Sequence, residues 1–141
     1  MSILNLCGRR LSTVPVMATV ADAVQLMINN EVGAVAVIDD EGIVAGMFTE
    51  RDVLEKFALS GRDPRETPVR DLMSPMVEMA TEETTPAEAL RVMLERHYRH
   101  MPVVDERGKV LGILSIRHIL EAKIDDLLQQ LEATSSRSQT A

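Results

Sequence analysis

The chain has 141 residues, and its 45% apolar content with only 2% aromatic residues means that Val, Ile, Leu and nine Met must fill its core. A net charge of −7 disfavours binding to nucleic acids, and no run of about 18 apolar residues is present to cross a membrane. The single cysteine, Cys7, excludes an internal disulfide framework. Because the N-terminus also lacks the charge order of a secretory signal, a cytoplasmic location is predicted.

The first predicted helix follows an extended lead-in. Thr19 has the features of an N-cap, and Asp22 stands at the third helical position, which together form a capping box. Two runs rich in β-formers come next, and a turn containing Asp39 and ending in Gly42 separates them, as in a hairpin. We therefore predict strands over 34–38 and 43–49 and a closing helix over 50–58.

The same order of elements follows the breaker-rich segment 60–68, which is predicted to be a linker. Thr85 and Glu88 repeat the capping box, with Pro86 at the first helical position. The pattern predicts strands over 101–104 and 109–115 and a helix over 116–131. The polar tail, residues 133–141, is predicted to be disordered.

The chain contains two copies of one repeated unit. Shifted by 66 residues, positions 3–58 align with 69–124 without a gap and share 13 identities in 56 positions, where chance gives about three or four. One unit of this size buries its sheet poorly, so we expect the two to pack together. The predicted organisation is repeat 1 over 1–59, the linker over 60–68, and repeat 2 over 69–132.

Three segments carry a resemblance to a known family: GMFTERD at 46–52, VRDLMSP at 69–75 and HMPVVDERGKVLGILS at 100–115. They resemble the CBS domain, and two copies resemble a CBS pair, or Bateman module. The resemblance implies an α+β fold in which two pseudo-twofold-related β-α-β-β-α repeats pack through their sheets. It also implies a disc-like homodimer and two clefts that bind adenosine compounds such as AMP, ADP, ATP, NAD or S-adenosylmethionine.

The closing signature of the family is complete in the first copy, as Gly46, Met47, Phe48, Thr49 and Asp52. A carboxylate can accept hydrogen bonds from both ribose hydroxyls, and the free N–H groups of a helix N-terminus suit an anion. The alternative is that Thr49 and Asp52 only cap the closing helix. Both roles are compatible in one residue pair.

The resemblance implies further residues for this first site. Tyr98 is predicted to flank an adenine, and Arg51 or Arg99 to meet a phosphate. Arg9, Arg10 and Arg96 would extend a basic rim that matters more for ATP than for AMP. The predicted first site is Met47, Thr49, Arg51, Asp52, Val32, Gly33, Ala34, Val77, Tyr98 and Arg99.

The second copy departs from the signature, because His118 stands where the family has Asp. A neutral imidazole has one donor and one acceptor, so it cannot hold two ribose hydroxyls as a carboxylate does. The second site, with Ile113, Ser115, His118 and His100, is therefore predicted to be empty, weak or selective for another ligand. A titratable His118 would alternatively make binding pH-sensitive.

No nucleophile with a base, phosphate loop or metal-ligand spacing accompanies these motifs, so no enzyme, metal or catalytic cofactor is predicted. We expect a regulatory module that senses an adenosine compound and signals to an effector protein yet to be identified. The alternative is an interaction scaffold whose clefts have decayed. An apolar stripe on the last helix, from Ile116 to Leu131, either packs on its own chain or meets a second copy.

Overall fold

The computed structural model describes residues 2–8, 10–75 and 78–139, and shows the same order of elements twice. Short 3₁₀ turns over Ile3–Leu6 and Val69–Asp71 open the two halves. The first half continues with β1 (Thr13–Pro15), α1 (Val20–Asn30), β2 (Ala34–Ile38), β3 (Val44–Thr49) and α2 (Glu50–Asp52). The second half continues with α3 (Pro86–Arg96), β4 (His100–Val104), β5 (Val110–Ser115) and α4 (Ile116–Gln139).

Both predicted capping boxes are confirmed. The Thr19 hydroxyl accepts the Asp22 N–H at 3.1 Å, and the Asp22 carboxylate accepts the Thr19 N–H at 3.1 Å. Thr85 and Glu88 make the same pair of hydrogen bonds, at 3.1 and 3.2 Å. These residues fix where α1 and α3 begin, and thus where each helix lies on its sheet.

The sheets of the two halves are also equivalent. β2 pairs with β3 in an antiparallel hairpin and with β1 in parallel, with Val14 opposite Val37. β4 and β5 form the second hairpin, and a single parallel bridge between Ala80 and Val103 stands where β1 pairs with β2 in the first half. The short β1 is the part of the lead-in that the sequence marked only as extended.

Each lead-in starts in the opposite half. Val69 and Leu72 are buried in the core of the first half, together with Phe48. In return Ile3 is buried in the core of the second half, against which Cys7 also packs. Burial raises the pKa of the Cys7 thiol to about 11. The two repeats therefore exchange their N-terminal segments, and neither core is complete without the other repeat.

The two sheets meet through apolar side chains. Ala34, Ala36 and Met47 are buried, and Val110 and Ile113 of the other sheet pack against them. Because side chains alternate along a strand, Val35 and Val37 face the opposite way, into the core beneath α1. The predicted α+β arrangement, two repeats packed through their sheets, is confirmed.

The first closing helix has close to its predicted extent but changes type, and the second is longer than predicted. After one α-turn, the first continues as a π-helical turn over Val53–Phe57. α4 runs without a break to Gln139, eight residues past the predicted end and into the tail predicted to be disordered. No Gly or Pro interrupts this segment, and the Thr134 hydroxyl donates to the Gln130 carbonyl at 2.9 Å.

Among the described residues, no helix is both long and apolar enough to span a bilayer. Several large apolar side chains of α4 are nevertheless exposed: Leu120, Ile124, Leu127, Leu128 and Leu131.

Candidate functional site

Two clefts lie between the halves, and each combines the end of one hairpin with the start of the other. The first cleft has a volume of about 680 Å³, and its walls include Thr49 and Asp52 from the first half and Tyr98 from the second. The second cleft has a volume of about 400 Å³, with Ser115 and His118 from the second half and Val32 from the first. Gly33, Glu50, Arg99 and His100 line both clefts, so the two share a wall.

Asp52 is the most constrained charged group of the first cleft. It is only 5% exposed, and its Oδ2 accepts hydrogen bonds from the Thr49 N–H at 3.0 Å and the Thr49 hydroxyl at 3.1 Å. The Thr49 hydroxyl accepts the Asp52 N–H at 3.2 Å in return. Asp52 therefore does cap the closing helix, while it also lies in the wall of a cleft.

The other carboxylate oxygen of Asp52 binds two groups that the sequence did not single out. The Ser74 hydroxyl donates to Oδ1 at 2.9 Å, and Lys56 Nζ lies 3.0 Å from the same atom. Lys56 also donates to the Leu72 carbonyl at 3.1 Å and to the Ser74 hydroxyl at 3.0 Å. Since Leu72 and Ser74 belong to the second lead-in, this network ties the two repeats together.

The second repeat supplies a polar rim to the first cleft. Arg96 is held by Glu78, with Nη2 at 2.6 Å, and Arg51 by Glu55 at 2.8 Å. Arg99 is exposed and forms no ion pair with any carboxylate in the part of the chain that the structure describes. Among the predicted phosphate-binding arginines, Arg99 is therefore the one left available.

The structure brings together most, but not all, of the predicted first site. Met47, Thr49, Arg51, Asp52, Gly33, Tyr98 and Arg99 line the first cleft. Val32 and Ala34 were predicted to line it too, but the structure places both in the second cleft. The reason is the pseudo-twofold axis, which sets the start of each hairpin against the closing strand of the opposite repeat. Val77, also predicted for this site, and Arg9 lie outside the described residues.

The second cleft contains all four residues predicted for it: His100, Ile113, Ser115 and His118. The Ser115 hydroxyl accepts the His118 N–H at 3.1 Å, as Thr49 does for Asp52 in the first repeat. Burial, with help from His118 and Arg99, lowers the pKa of His100 to about 4. His100 is therefore neutral at physiological pH.

Position by position, the Asp52 network is missing from the second cleft. Gly8 occupies the position equivalent to Ser74, and a Cβ placed on Gly8 would lie 3.9 Å from His118 Cε1. Ala122 stands where the first repeat has Lys56. Nδ1 of His118 is buried and has no hydrogen-bond partner among the described residues. No three described His, Cys, Asp or Glu side chains group as a metal site.

Two repeats in tandem, with two clefts between them that share a wall, form a module with two potential ligand sites. Residues 5–59 and 69–125 each match the CBS domain. The chain therefore belongs to the CBS domain family, as the sequence motifs predicted.

Individual relatives support this family assignment. A protein with CBS domains from Burkholderia ambifaria MC40-6 is 31% identical with a TM-score of 0.79, over 89% of this chain and 96% of that one. CBSX2, a chloroplastic protein of Arabidopsis thaliana, was crystallised in complex with AMP; it is 27% identical with a TM-score of 0.73, over 88% of this chain and 96% of that one. The mitochondrial protein CBSX3 of the same plant is 33% identical over 118 residues, 81% of this chain. The chain spans 57% of the length of CBSX3.

Proposed function

We propose that the first cleft binds an adenosine compound and that Asp52 holds its ribose hydroxyls. The observation that carries this proposal is a buried carboxylate, 5% exposed, in the wall of a cleft of about 680 Å³. The likeness to CBSX2, which was crystallised with AMP, supports the same ligand class. We infer that the chain is a non-catalytic regulatory module whose signal passes to an effector protein.

Binding of a ribose requires an exchange of hydrogen bonds at Asp52. A carboxylate has about four lone-pair positions, and Thr49, Ser74 and Lys56 together present four donors to them. Two ribose hydroxyls must therefore replace two of these donors. The Lys56 side chain is 39% exposed, so it can leave the carboxylate and meet a phosphate of the ligand.

This exchange gives the module a physical means of signalling. Ser74 and Lys56 link Asp52 to the second lead-in, and a ligand that takes their place replaces this tie with its own contacts to both repeats. The ligand then shifts the arrangement of the repeats to the extent that it binds one arrangement more tightly than another. Tyr98 and Arg99 complete the site from the second repeat, Tyr98 beside the adenine and Arg99 at the phosphate.

A thermal-shift screen tests the proposal. The purified protein is heated with AMP, ADP, ATP, NAD, NADH, S-adenosylmethionine or GTP, and a ligand at 100 times its dissociation constant should stabilise the fold by about 2.7 kcal/mol. We expect a shift with one or more adenosine compounds and none with GTP. No shift with any compound would contradict the proposal and favour an interaction scaffold, the reading that His118 in the second cleft supports.

Paired variants show whether the shift comes from the first cleft. Asp52→Asn should remove it. Asp22→Asn is the matched control, because Asp22 closes the equivalent capping box on α1 but lines neither cleft. A shift that survives Asp52→Asn would contradict the site assignment.

We also propose that the chain forms a homodimer through the exposed apolar residues of α4. Leu120, Ile124, Leu127 and Leu131 recur every three or four residues and are 46–66% exposed. Such a stripe is stabilised by a second helix. Sedimentation should show a dimer that Leu127→Asp converts to a monomer; a monomeric wild-type protein would contradict the proposal.

A further inference from the structure

The second cleft has the features of an anion site rather than a ribose site. His118, Gly8 and Ala122 replace the Asp52, Ser74 and Lys56 of the first cleft. This removes the carboxylate that a ribose needs and that a phosphate avoids. What remains at this position is a buried imidazole nitrogen, Nδ1 of His118, with no partner among the described residues. The partly exposed His118 imidazole therefore stands in the wall of the second cleft where the first cleft has a carboxylate.

Arginines outnumber carboxylates in the lining of the second cleft. Arg10, Arg99 and Arg117 line it against the carboxylates of Glu31 and Glu50, and Arg117 is paired with Glu121 at 2.8 Å. Arg10 and Arg99 form no ion pair with a carboxylate in ranges 2–8, 10–75 and 78–139; Arg10 donates only to the Asn30 side chain, at 3.4 Å. Two guanidinium groups are thus uncommitted in a chain whose net charge is −7.

The N-terminal end of the long helix α4 also contributes to the electrostatic potential in the second cleft. Ser115 and the first residues of α4, Ile116, Arg117 and His118, all line the second cleft. The N-terminal end of a helix carries partial positive charge that favours phosphate oxygens. Here the Ile116 N–H already donates to the Arg99 carbonyl at 2.9 Å and the His118 N–H to the Ser115 hydroxyl at 3.1 Å, so the helix acts through its dipole. The first cleft has only a short α-turn followed by a π-helical turn at the equivalent place.

We propose that the second cleft binds phosphate groups and not a nucleoside. Arg10 and Arg99 supply the paired donors, and the N-terminal end of α4 adds partial positive charge at the same cleft. The phosphate can belong to a separate phosphorylated molecule or be the distal end of a nucleotide in the first cleft, since Arg99 and His100 stand in the wall that the clefts share.

Titration calorimetry with pyrophosphate at constant ionic strength tests the site. We expect Arg10→Gln to weaken pyrophosphate binding about tenfold or more. Arg91→Gln is the matched control, because it removes the same charge from an exposed position outside both clefts and should change the affinity less than twofold. Equal weakening by both variants, or no binding by the wild-type protein at millimolar pyrophosphate, would overturn the proposal.

Two further variants separate this site from the first cleft. Asp52→Asn should leave pyrophosphate binding intact even if it abolishes binding of adenosine, so failure of the first-cleft proposal would not affect the result. His118→Asp places a carboxylate in the second cleft and should weaken pyrophosphate at least tenfold, whereas His118→Asn should have a smaller effect. Loss of pyrophosphate binding in Asp52→Asn, or full affinity in His118→Asp, would contradict the assignment.

Competition experiments between pyrophosphate and nucleotides identify the source of the phosphate. If the distal phosphates of a nucleotide fill the second cleft, ATP displaces pyrophosphate, AMP does not, and Arg10→Gln weakens ATP more than AMP. If a separate molecule fills it, pyrophosphate and ATP bind together and Arg10→Gln leaves ATP unchanged. Either pattern supports a phosphate site; displacement of pyrophosphate by unphosphorylated adenosine would overturn it.

Discussion

The Ser74 hydroxyl donates a hydrogen bond of 2.9 Å to the Asp52 carboxylate and so joins the lead-in of the second repeat to the closing helix of the first. In the second cleft the equivalent pair is Gly8 and His118, and no such bond exists between them. The two repeats have the same fold but different chemistry at the same place. This difference is the basis for assigning the two clefts to different ligands.

The Ser74–Asp52 hydrogen bond should contribute measurably to stability. Ser74→Ala removes a donor from a buried carboxylate, and we expect the free energy of unfolding to fall by about 1–2 kcal/mol. In an Asp52→Asn background the same change should cost less, because the charged acceptor is already gone. Urea denaturation of the four proteins of this cycle measures the coupling.

Ser60→Ala is the control for that cycle. The Ser60 hydroxyl donates locally to the Phe57 carbonyl at 2.7 Å, away from Asp52, so its effect should be equal in both backgrounds. Additive effects of Ser74→Ala and Asp52→Asn would show that the hydrogen bond between these residues does not contribute to the free energy of unfolding.

Stability should fall in mild acid because of His100. Its folded-state pKa, about 4, lies below the ordinary value of 6.5, so the unfolded chain takes up a proton first as the pH decreases. The stabilisation is complete above about pH 6.5 and is lost as the pH falls toward 4, by an amount on the order of 2 kcal/mol at pH 5. Denaturation at pH 7.5 and pH 5 measures it.

The histidine variants locate this effect. His100→Gln should remove most of the pH dependence, whereas His97→Asn should retain it. His97 is exposed and ends α3 with φ of 59°, a conformation that Asn tolerates. An unchanged pH dependence in His100→Gln would assign the effect to other groups.

Two equivalent glycines should differ in their tolerance of a methyl group. A Cβ on Gly46 would lie 2.8 Å from the Ser74 carbonyl oxygen, which accepts the Met47 N–H and cannot move aside. A Cβ on Gly112 would lie 2.9 Å from Cys7 Sγ, which can rotate, and 3.0 Å from Cys7 Cβ, which requires only a small shift of the first lead-in. We expect Gly46→Ala to cost about 2–3 kcal/mol and Gly112→Ala less, as measured by thermal unfolding. The reverse order would mean that the second lead-in is free to shift.

The sequence correctly predicted the features that depend on residues close together in the chain. The capping boxes at Thr19 and Thr85 depend on residues three apart, and strand 34–38 was predicted with the bounds that the structure gives. The pairing across the pseudo-twofold axis was not local, and for this reason Val32 and Ala34 were predicted for the first cleft, whereas they line the second. A shift of the sequence by 66 residues shows equivalence between positions, but not which repeat faces which.

Lys56 and Ser74 were missed for a related reason. Ser74 lies 22 residues from Asp52 and meets it only because the lead-in crosses to the other repeat. Lys56 had a local signal, since it follows Asp52 by four residues, the spacing of a helical ion pair. The comparison of Lys56 with its counterpart Ala122, and of Ser74 with Gly8, would have marked the two clefts as different from sequence alone.

The central claim, that Asp52 reads the ribose, is tested most directly by comparing AMP with 2′,3′-dideoxy-AMP in titration calorimetry. The wild-type protein should bind AMP about tenfold more tightly, because only its two hydroxyls can replace Ser74 and Lys56 on the carboxylate and so release Lys56 to meet the phosphate. Asp52→Asn should lose most of this preference, while Asp22→Asn should keep it. Equal binding of AMP and the dideoxy compound by the wild-type protein, or an undiminished preference in Asp52→Asn, would contradict the account.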